Sequence, residues 1–325
     1  MNYIDFHCDT LMMSYLFGKK DMLELPNAMV DVKRLRKGGT KAQFFAIFMP
    51  PDGAEKMIGR PVPKDDDYID ALVEIMNTTA SDQSDILGMA YNYETLKQNA
   101  EKGKISAFLT IEDGRSVNGD LDKLKKYYDK GVRLMSLTWN KENCFGFPNS
   151  KDSSVMEKGL TSFGKEAIPY MNHLGILIDV SHLSDGSFWD VANLSEKPFI
   201  ASHSNCRSIC PHQRNLTDEM IRCIGEKGGG IGVNFGPEFL NPDVSCKEST
   251  VARMCEHMDH MIQKGGEDCV VIGTDFDGIR GNFEIAGPDY MGYLFEALER
   301  KGYSSQLIEK IAYKNAERVI REVLK

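Results

Sequence analysis

Six residues of this chain belong to types that bind metal ions or move protons, and each stands at or near the end of a short apolar run. They are His7 and Asp9 in "YIDFHCD", Glu112 in "SAFLTIE", His182 in "GILIDVSH", His203 in "PFIASH" and Asp275 in "CVVIGTD". In a strand, side chains alternate faces, so His7 and Asp9 share one face while Cys8 points to the other. Singly, each has a plain structural explanation: a capping carboxylate, a satisfied core histidine, a turn aspartate. Their recurrence at equivalent positions in five runs is the stronger fact, because it brings them to one rim.

The chemistry explains why such a set would be assembled. Zinc takes imidazole nitrogen and carboxylate oxygen, and a catalytic site keeps one coordination position open. A carboxylate can bridge two ions through its two oxygens, and a pair of ions can clamp both attacking and departing oxygens. On that pattern His7, Asp9 and Glu112 serve one ion, Glu112, His182 and His203 serve the other, and Asp275 remains as the base. Of the other histidines, His173, His257 and His260 fall in helical patterns and are expected to be structural. His212 follows Pro211 in a loop and has no evident partner.

The elements that must position these residues are legible. Eight apolar, β-rich runs occur at 3–9, 42–49, 106–112, 132–139, 175–182, 198–203, 229–235 and 269–275. Segments of helical character separate them, and eight alternating units close a barrel. "DDDYIDALVEIMNTTAS", "LTDEMIRCIGEKGG" with Thr217 as N-cap, "STVARMCEHMDHMIQKGG" and the C-terminal "SSQLIEKIAYKNAERVIREVLK" read as helices. The expected fold is therefore α/β, a (β/α)8 TIM barrel with long βα loops, forming a single domain over 1–325. The loops at 50–64, 140–159 and 236–250 follow strands and would stand as candidate lids on the C-terminal face, where active sites of such barrels lie.

Composition narrows the partners. At 325 residues with net charge −9 and no basic block, the chain is expected to bind neither nucleic acid nor a membrane surface. No signal-peptide pattern or transmembrane-length apolar run is evident, which predicts a cytoplasmic location. Eight scattered cysteines fit reduced thiols. "CRSIC" holds Cys206 and Cys210 close in sequence, but no second pair completes a thiolate zinc site. The oligomeric state is open, a homo-oligomer included.

In this order along the chain, "DFHCDT", "LTIEDG", "DVSHLS", "ASHSNCRSICPHQRNLTDEMI", "GGIGVNF" and "IGTDFDG" resemble the membrane dipeptidase (renal dipeptidase) family of zinc peptidases. The resemblance implies a (β/α)8 barrel that hydrolyses dipeptides with a binuclear zinc centre, two Zn2+ per chain. It implies His7 and Asp9 on the first zinc, Glu112 bridging, and His182 and His203 on the second. Asp275 matches the family's acid/base aspartate, working with a hydroxide held between the metals. Arg214 matches the arginine that binds the substrate's free C-terminal carboxylate, a task suited to a planar bidentate donor. Trp139 and Asn140 fall at the substrate pocket, with Trp139 where mammalian members have histidine. Gly236 stands where they have tyrosine and is expected to open space. An alternative keeps the metals and changes the substrate: a barrel amidohydrolase acting on another amide, a lactone or a phosphoester.

Overall fold

The computed structural model describes residues 1–51, 53–55, 61–243 and 245–325. Residue 52 and residues 56–60 of the first candidate lid, and residue 244 of the third, lie outside the described residues.

Eleven strands are described: β1 Tyr3–Cys8, β2 Thr40–Phe48, β3 Leu87–Met89, β4 Ile105–Glu112, β5 Val132–Ser136, β6 Leu177–Asp179, β7 Ile200–Ala201, β8 Gly230–Val233, β9 Glu248–Ser249, β10 Val270–Ile272 and β11 Asn282–Phe283. The main sheet runs β2-β1-β10-β8-β7-β6-β5-β4, all parallel, and the pairing of β2 with β4 closes it into an eight-stranded barrel. These eight strands correspond to the eight apolar runs of the sequence. β3 is an addition that pairs with the first residues of β4, Leu87 against Ile105, below the point where β5 begins at Val132 opposite Leu109. β9 and β11 form a separate two-stranded ribbon.

Two apolar layers hold the barrel. Inside it, Phe44 lies 4.5 Å from both Phe6 and Phe108, centroid to centroid, and Leu134, Leu177, Ile200 and Val271 fill the same core. Each aromatic contact of this kind adds about 0.5–1.5 kcal/mol beyond its buried area. Ala316, Val319, Ile320 and Val323, from the helix Asn315–Val323, belong to this inner core as well. The C-terminal helix thus plugs one end of the barrel and leaves the end carrying the βα loops open. The larger core lies between the strands and the surrounding helices.

The helices begin and end as their sequences dictate. Thr217 caps Asp218–Glu226 by accepting from the Met220 amide at 3.3 Å, and Thr250 caps Val251–Gly265. Gly175, in the left-handed conformation at φ 84°, ends Ser162–Leu174.

β1 departs from simple alternation. Ile4 and Phe6 face the barrel interior, yet Cys8 packs in the outer core. Pairing with β2 runs Asp5 to Gln43 and then Cys8 to Phe45, three residues against two, so the strand carries an extra residue between them. The His7 amide freed from the ladder donates instead to Asp5 Oδ1 at 3.2 Å. Such a bulge re-aims side chains, and here it turns His7 toward the barrel mouth directly after the inward-facing Phe6.

Candidate metal centre

His7 and Asp9 are fixed against the strand that brings Asp275. The Asp275 amide donates to His7 O at 3.3 Å, and the Asp9 amide donates to Phe276 O at 2.9 Å, continuing the β1–β10 pairing past the end of β10. Asp5 locks the same corner, accepting from the Thr274 amide at 3.0 Å and the Thr274 hydroxyl at 2.7 Å. Only Glu112 ends its strand as the sequence pattern implied. His182 lies three residues beyond β6, His203 two beyond β7 and Asp275 three beyond β10, because these strands stop earlier than their apolar runs.

His182 and Asp275 take left-handed backbone conformations, φ 71° and 62°. Non-glycine residues hold such conformations at a cost of order 1–3 kcal/mol, and only where the surroundings over-determine them. Gly278 shows how closely the carboxylates approach: a Cβ there would lie 2.2 Å from Asp9 Oδ2 and 2.4 Å from Asp275 Oδ1. A side chain there would have to displace these carboxylates.

Glu112 stands at the middle. Its Oε2 is 3.4 Å from His7 Nε2, and His7 Nε2 is 3.6 Å from Asp9 Oδ2 and 3.9 Å from Asp275 Oδ1. Its Oε1 is 2.9 Å from His182 Nε2 and 3.6 Å from His203 Nε2, and those two nitrogens are 3.0 Å apart. The two oxygens of one carboxylate therefore lie nearest to different donors, Oε2 to His7 and Oε1 to His182 and His203. The last three separations are close to the spacing of about 3.3 Å expected between neighbouring tetrahedral ligands at zinc bond lengths near 2.0 Å. His7, Glu112 and His203, and likewise His7, Asp9 and Asp275, converge closely enough to hold a metal ion.

Several of these buried atoms have no hydrogen-bond partner among the described residues: His7 Nδ1 and Nε2, Asp9 Oδ1 and His182 Nδ1. Unsatisfied buried polar atoms are few in folded proteins and call for an explanation. A divalent cation among these carboxylates would satisfy His7 Nε2, which faces Glu112 and Asp9, and the nitrogen and oxygen donors suit zinc. The residues present fit the group.

The electrostatics agree. Burial opposes charge on Glu112, yet His7, with His182 and His203, holds its carboxyl well below the usual range. Burial likewise opposes charge on His7, yet Glu112 and Asp9 hold it well above the ordinary imidazole range. Burial, with Arg214 next, lowers His182 to about 4, and burial, then His7, holds His203 well below the ordinary imidazole range. Burial raises Asp275 to about 8, against the opposing pull of His7, and raises Asp9 to about 6 with help from Glu112. Carboxyls so disfavoured as anions are groups that a bound cation would relieve.

Asn234 holds Asp275. Its Nδ2 donates to Asp275 Oδ2 at 2.7 Å while its Oδ1 accepts from the Gly236 amide at 2.6 Å, which leaves Asp275 Oδ1 facing His7. Arg214 is buried beside the site, donating to Ser204 Oγ and to His203 O at 3.2 Å each, with its Nε unpaired. His212, without a partner in the sequence reading, accepts from the Arg214 amide at 3.2 Å and packs edge-on against Phe239, over which Arg214 also lies.

Trp139 is half-buried between Phe48 and His182, with ring centroids 5.0 Å and 6.3 Å away. Asn140 is exposed on the loop beyond it. Gly236 does not open space as expected, because Phe239, Asn234 and Ile279 lie within 3.0 Å of where its Cβ would be. A cleft of about 550 Å3 opens on the same face, lined by Lys151, Met156, Asp185, Arg207 and Gln213 among others.

Asp5, Asp179, Ser202 and Asn234 make buried hydrogen bonds beside the site and were not singled out in the sequence. Their signal was a polar residue interrupting an apolar run, which by itself does not tell a buried partner from an exposed face. His257 is structural as expected, accepting from the Cys206 amide and facing Leu240 O. All eight cysteines are unpaired, and Cys206 and Cys210 donate to backbone carbonyls. Among the described residues no helix is long and apolar enough to cross a membrane.

The family model for membrane dipeptidase (peptidase family M19) matches residues 1–325. An uncharacterized protein from the pqqA 5′ region of Klebsiella pneumoniae is 36% identical over 234 residues, covering 70% of this chain and 85% of that protein. A metallopeptidase from Rhodobacter sphaeroides, solved with a phosphinate mimic of the dipeptide L-Ala-D-Ala, superposes with TM-score 0.88 at 25% identity, over 99% of both chains. The structure of dipeptidase AC, a metallopeptidase of family M19, superposes with TM-score 0.87 at 26% identity, over 100% of this chain and 99% of that one.

Proposed function

The chain belongs to the membrane dipeptidase family, peptidase family M19, and from that premise we propose that it hydrolyses dipeptides bearing a free C-terminal carboxylate at a centre of two zinc ions. It is a hydrolase of the metallopeptidase class. The observation that carries the binuclear reading is the parting of Glu112, with Oε2 toward His7 and Oε1 toward His182 and His203. In this reading His7 and Asp9 would hold one ion and His182 and His203 the other, with Glu112 contributing to both. Bound there, the ions supply Lewis acidity that makes water nucleophilic near neutral pH and draws charge from the scissile carbonyl.

The chain's own groups do the rest. Asp275 Oδ1 faces the His7 side of the centre while Asn234 occupies its other oxygen. It takes the proton of the attacking water and returns it to the departing amine, the two halves of general base and general acid work. Arg214 receives the substrate's terminal carboxylate. Charge-assisted hydrogen bonds of this kind contribute about 1.5–3 kcal/mol each, so dipeptides are favoured over compounds lacking that group. Trp139 walls the pocket beside His182, and its indole can donate a hydrogen bond but not accept one. Asn140 follows it at the pocket's outer edge. The phosphinate mimic bound by the Rhodobacter sphaeroides protein is tetrahedral, like the adduct of water on a peptide carbonyl, and supports a dipeptide as substrate. Eight unpaired cysteines support a cytoplasmic location.

The test compares one dipeptide with its C-terminal amide, in wild type and in Arg214→Ala. The wild type should strongly prefer the free acid, and Arg214→Ala should lose that preference chiefly through KM. Equal wild-type rates on both compounds would remove the carboxylate anchor and promote the amidohydrolase reading.

A further inference from the structure

Asp179, wholly buried at the end of β6, has every acceptor position filled. Its Oδ1 accepts from the Ser181 amide at 2.9 Å and the Ser202 amide at 2.8 Å. Its Oδ2 accepts from the Ser202 hydroxyl at 2.6 Å and from the Ser136 hydroxyl. These donors come from the rims of β5, β6 and β7, so one carboxylate ties together the three neighbouring strand ends beside His182 and His203. Hydroxyls carry one proton and two lone pairs. Ser202 gives its proton to Asp179, so toward His203 Nδ1, 2.7 Å away, its oxygen can only accept. Ser181 obeys the same count: its oxygen accepts from the His203 amide at 3.2 Å, and its proton is left for Ser202 Oγ at 3.4 Å.

We infer that Asp179 and Ser202 are positioning residues that set the tautomer of His203. Through the Ser202 hydroxyl, Asp179 keeps the imidazole proton on Nδ1. Nε2, the nitrogen that faces Glu112 and His182, is thereby left with its lone pair for a metal ion. This rests on the binuclear reading above and adds to it the groups that prepare one ligand. A carboxylate is required because an asparagine cannot accept from four donors. Its amide nitrogen would turn to the hydroxyl side, away from the two backbone N–H groups. The Ser202 proton would then be released toward His203 Nδ1, and the imidazole proton would move to Nε2, where it blocks coordination.

The experiment uses zinc-loaded protein as isolated, with metal counted and then withdrawn by a competing chelator, for wild type, Asp179→Asn and Ser202→Ala. In both variants one of the two ions should be held about 10–100-fold more weakly, the usual effect of removing the partner of a ligating histidine. The other ion should leave as in the wild type. In 15N-histidine-labelled protein, a hydrogen-bonded Nδ1–H resonance of His203, slow to exchange with water, should be present in the wild type and lost in Ser202→Ala. Wild-type metal affinity for both ions in the folded variants, or a wild-type His203 with no proton on Nδ1, would overturn the inference. If Asp179→Asn does not fold, Ser202→Ala and the wild-type spectrum decide the matter. A wild type holding fewer than two ions would strike at the binuclear reading itself, and the His203 spectrum would still decide this one.

Discussion

Asp275 lies within reach of a metal ion beside His7 and Asp9, and the role proposed for it is that of the acid and base. Its Oδ1 is 3.9 Å from His7 Nε2, and Asn234 fixes its other oxygen. Asparagine keeps the shape and the bond geometry but cannot take up a proton near neutral pH. Asp275→Asn should therefore leave metal content and melting temperature near wild type while lowering kcat by roughly 10²-fold or more, the scale of a lost general acid/base. Near-normal turnover in that variant would remove Asp275 from the role. At this scale the sequence was most informative about residues that face the open centre, since His7, Glu112, His182, His203 and Asp275 are reactive types at run ends. It was least informative about residues that hold them. Asp5, Asp179 and Asn234 are buried polar groups inside apolar runs, and their partners Thr274, Ser202 and Gly236 are distant in sequence or of ordinary type. Pairing across strands became visible only in three dimensions.

Among the elements, β1 decides which side chains reach the mouth. Strict alternation would place Phe6 and His7 on opposite faces, and the extra residue between Asp5 and Cys8 turns both inward. Cys8 is left in the outer core, away from His7 and Asp9 on either side of it. Cys8→Ser should therefore leave metal stoichiometry unchanged, whatever the buried hydroxyl does to stability; loss of an ion in metal analysis would contradict the bulge. The helix Asp218–Glu226 offers a test of another kind. A hydrogen bond from His260 at 2.7 Å, with Lys264 at 3.0 Å, holds the Asp218 carboxyl down at about 2. An unfolded-chain aspartate titrates near about 3.9, so the folded state is favoured above that pH and loses the advantage as pH falls toward 2. Asp218→Asn should lower the denaturant midpoint at pH 6, and the gap should close in acid. A gap that persists undiminished at low pH would contradict the pairing. β3 escaped the sequence reading because "LGM" is short, contains glycine and has no β-branched residue. Strand ends were overextended by the same logic, since apolar character continues past the last ladder hydrogen bond into the loops that carry His182, His203 and Asp275.

For the molecule as a whole, a barrel plugged at one end by its C-terminal helix leaves a single rim on which eight strand ends can converge. The eight-run pattern made that architecture legible, because a parallel barrel writes each strand as a separate apolar segment between amphipathic helices. What the pattern could not convey is how space is shared on the rim. Gly236 was expected to enlarge the pocket, yet Phe239 and Ile279 fill the vacated volume. Trp139 stands against His182, so any reshaping of substrate preference lies on that side. The proposed chemistry depends on two ions, one on either side of Glu112, and metal content per chain in active protein, wild type beside His182→Ala, tests it. Two zinc equivalents are expected in the wild type and one, with turnover lost, in the variant; fully active wild-type protein holding one ion or none would refute the binuclear centre.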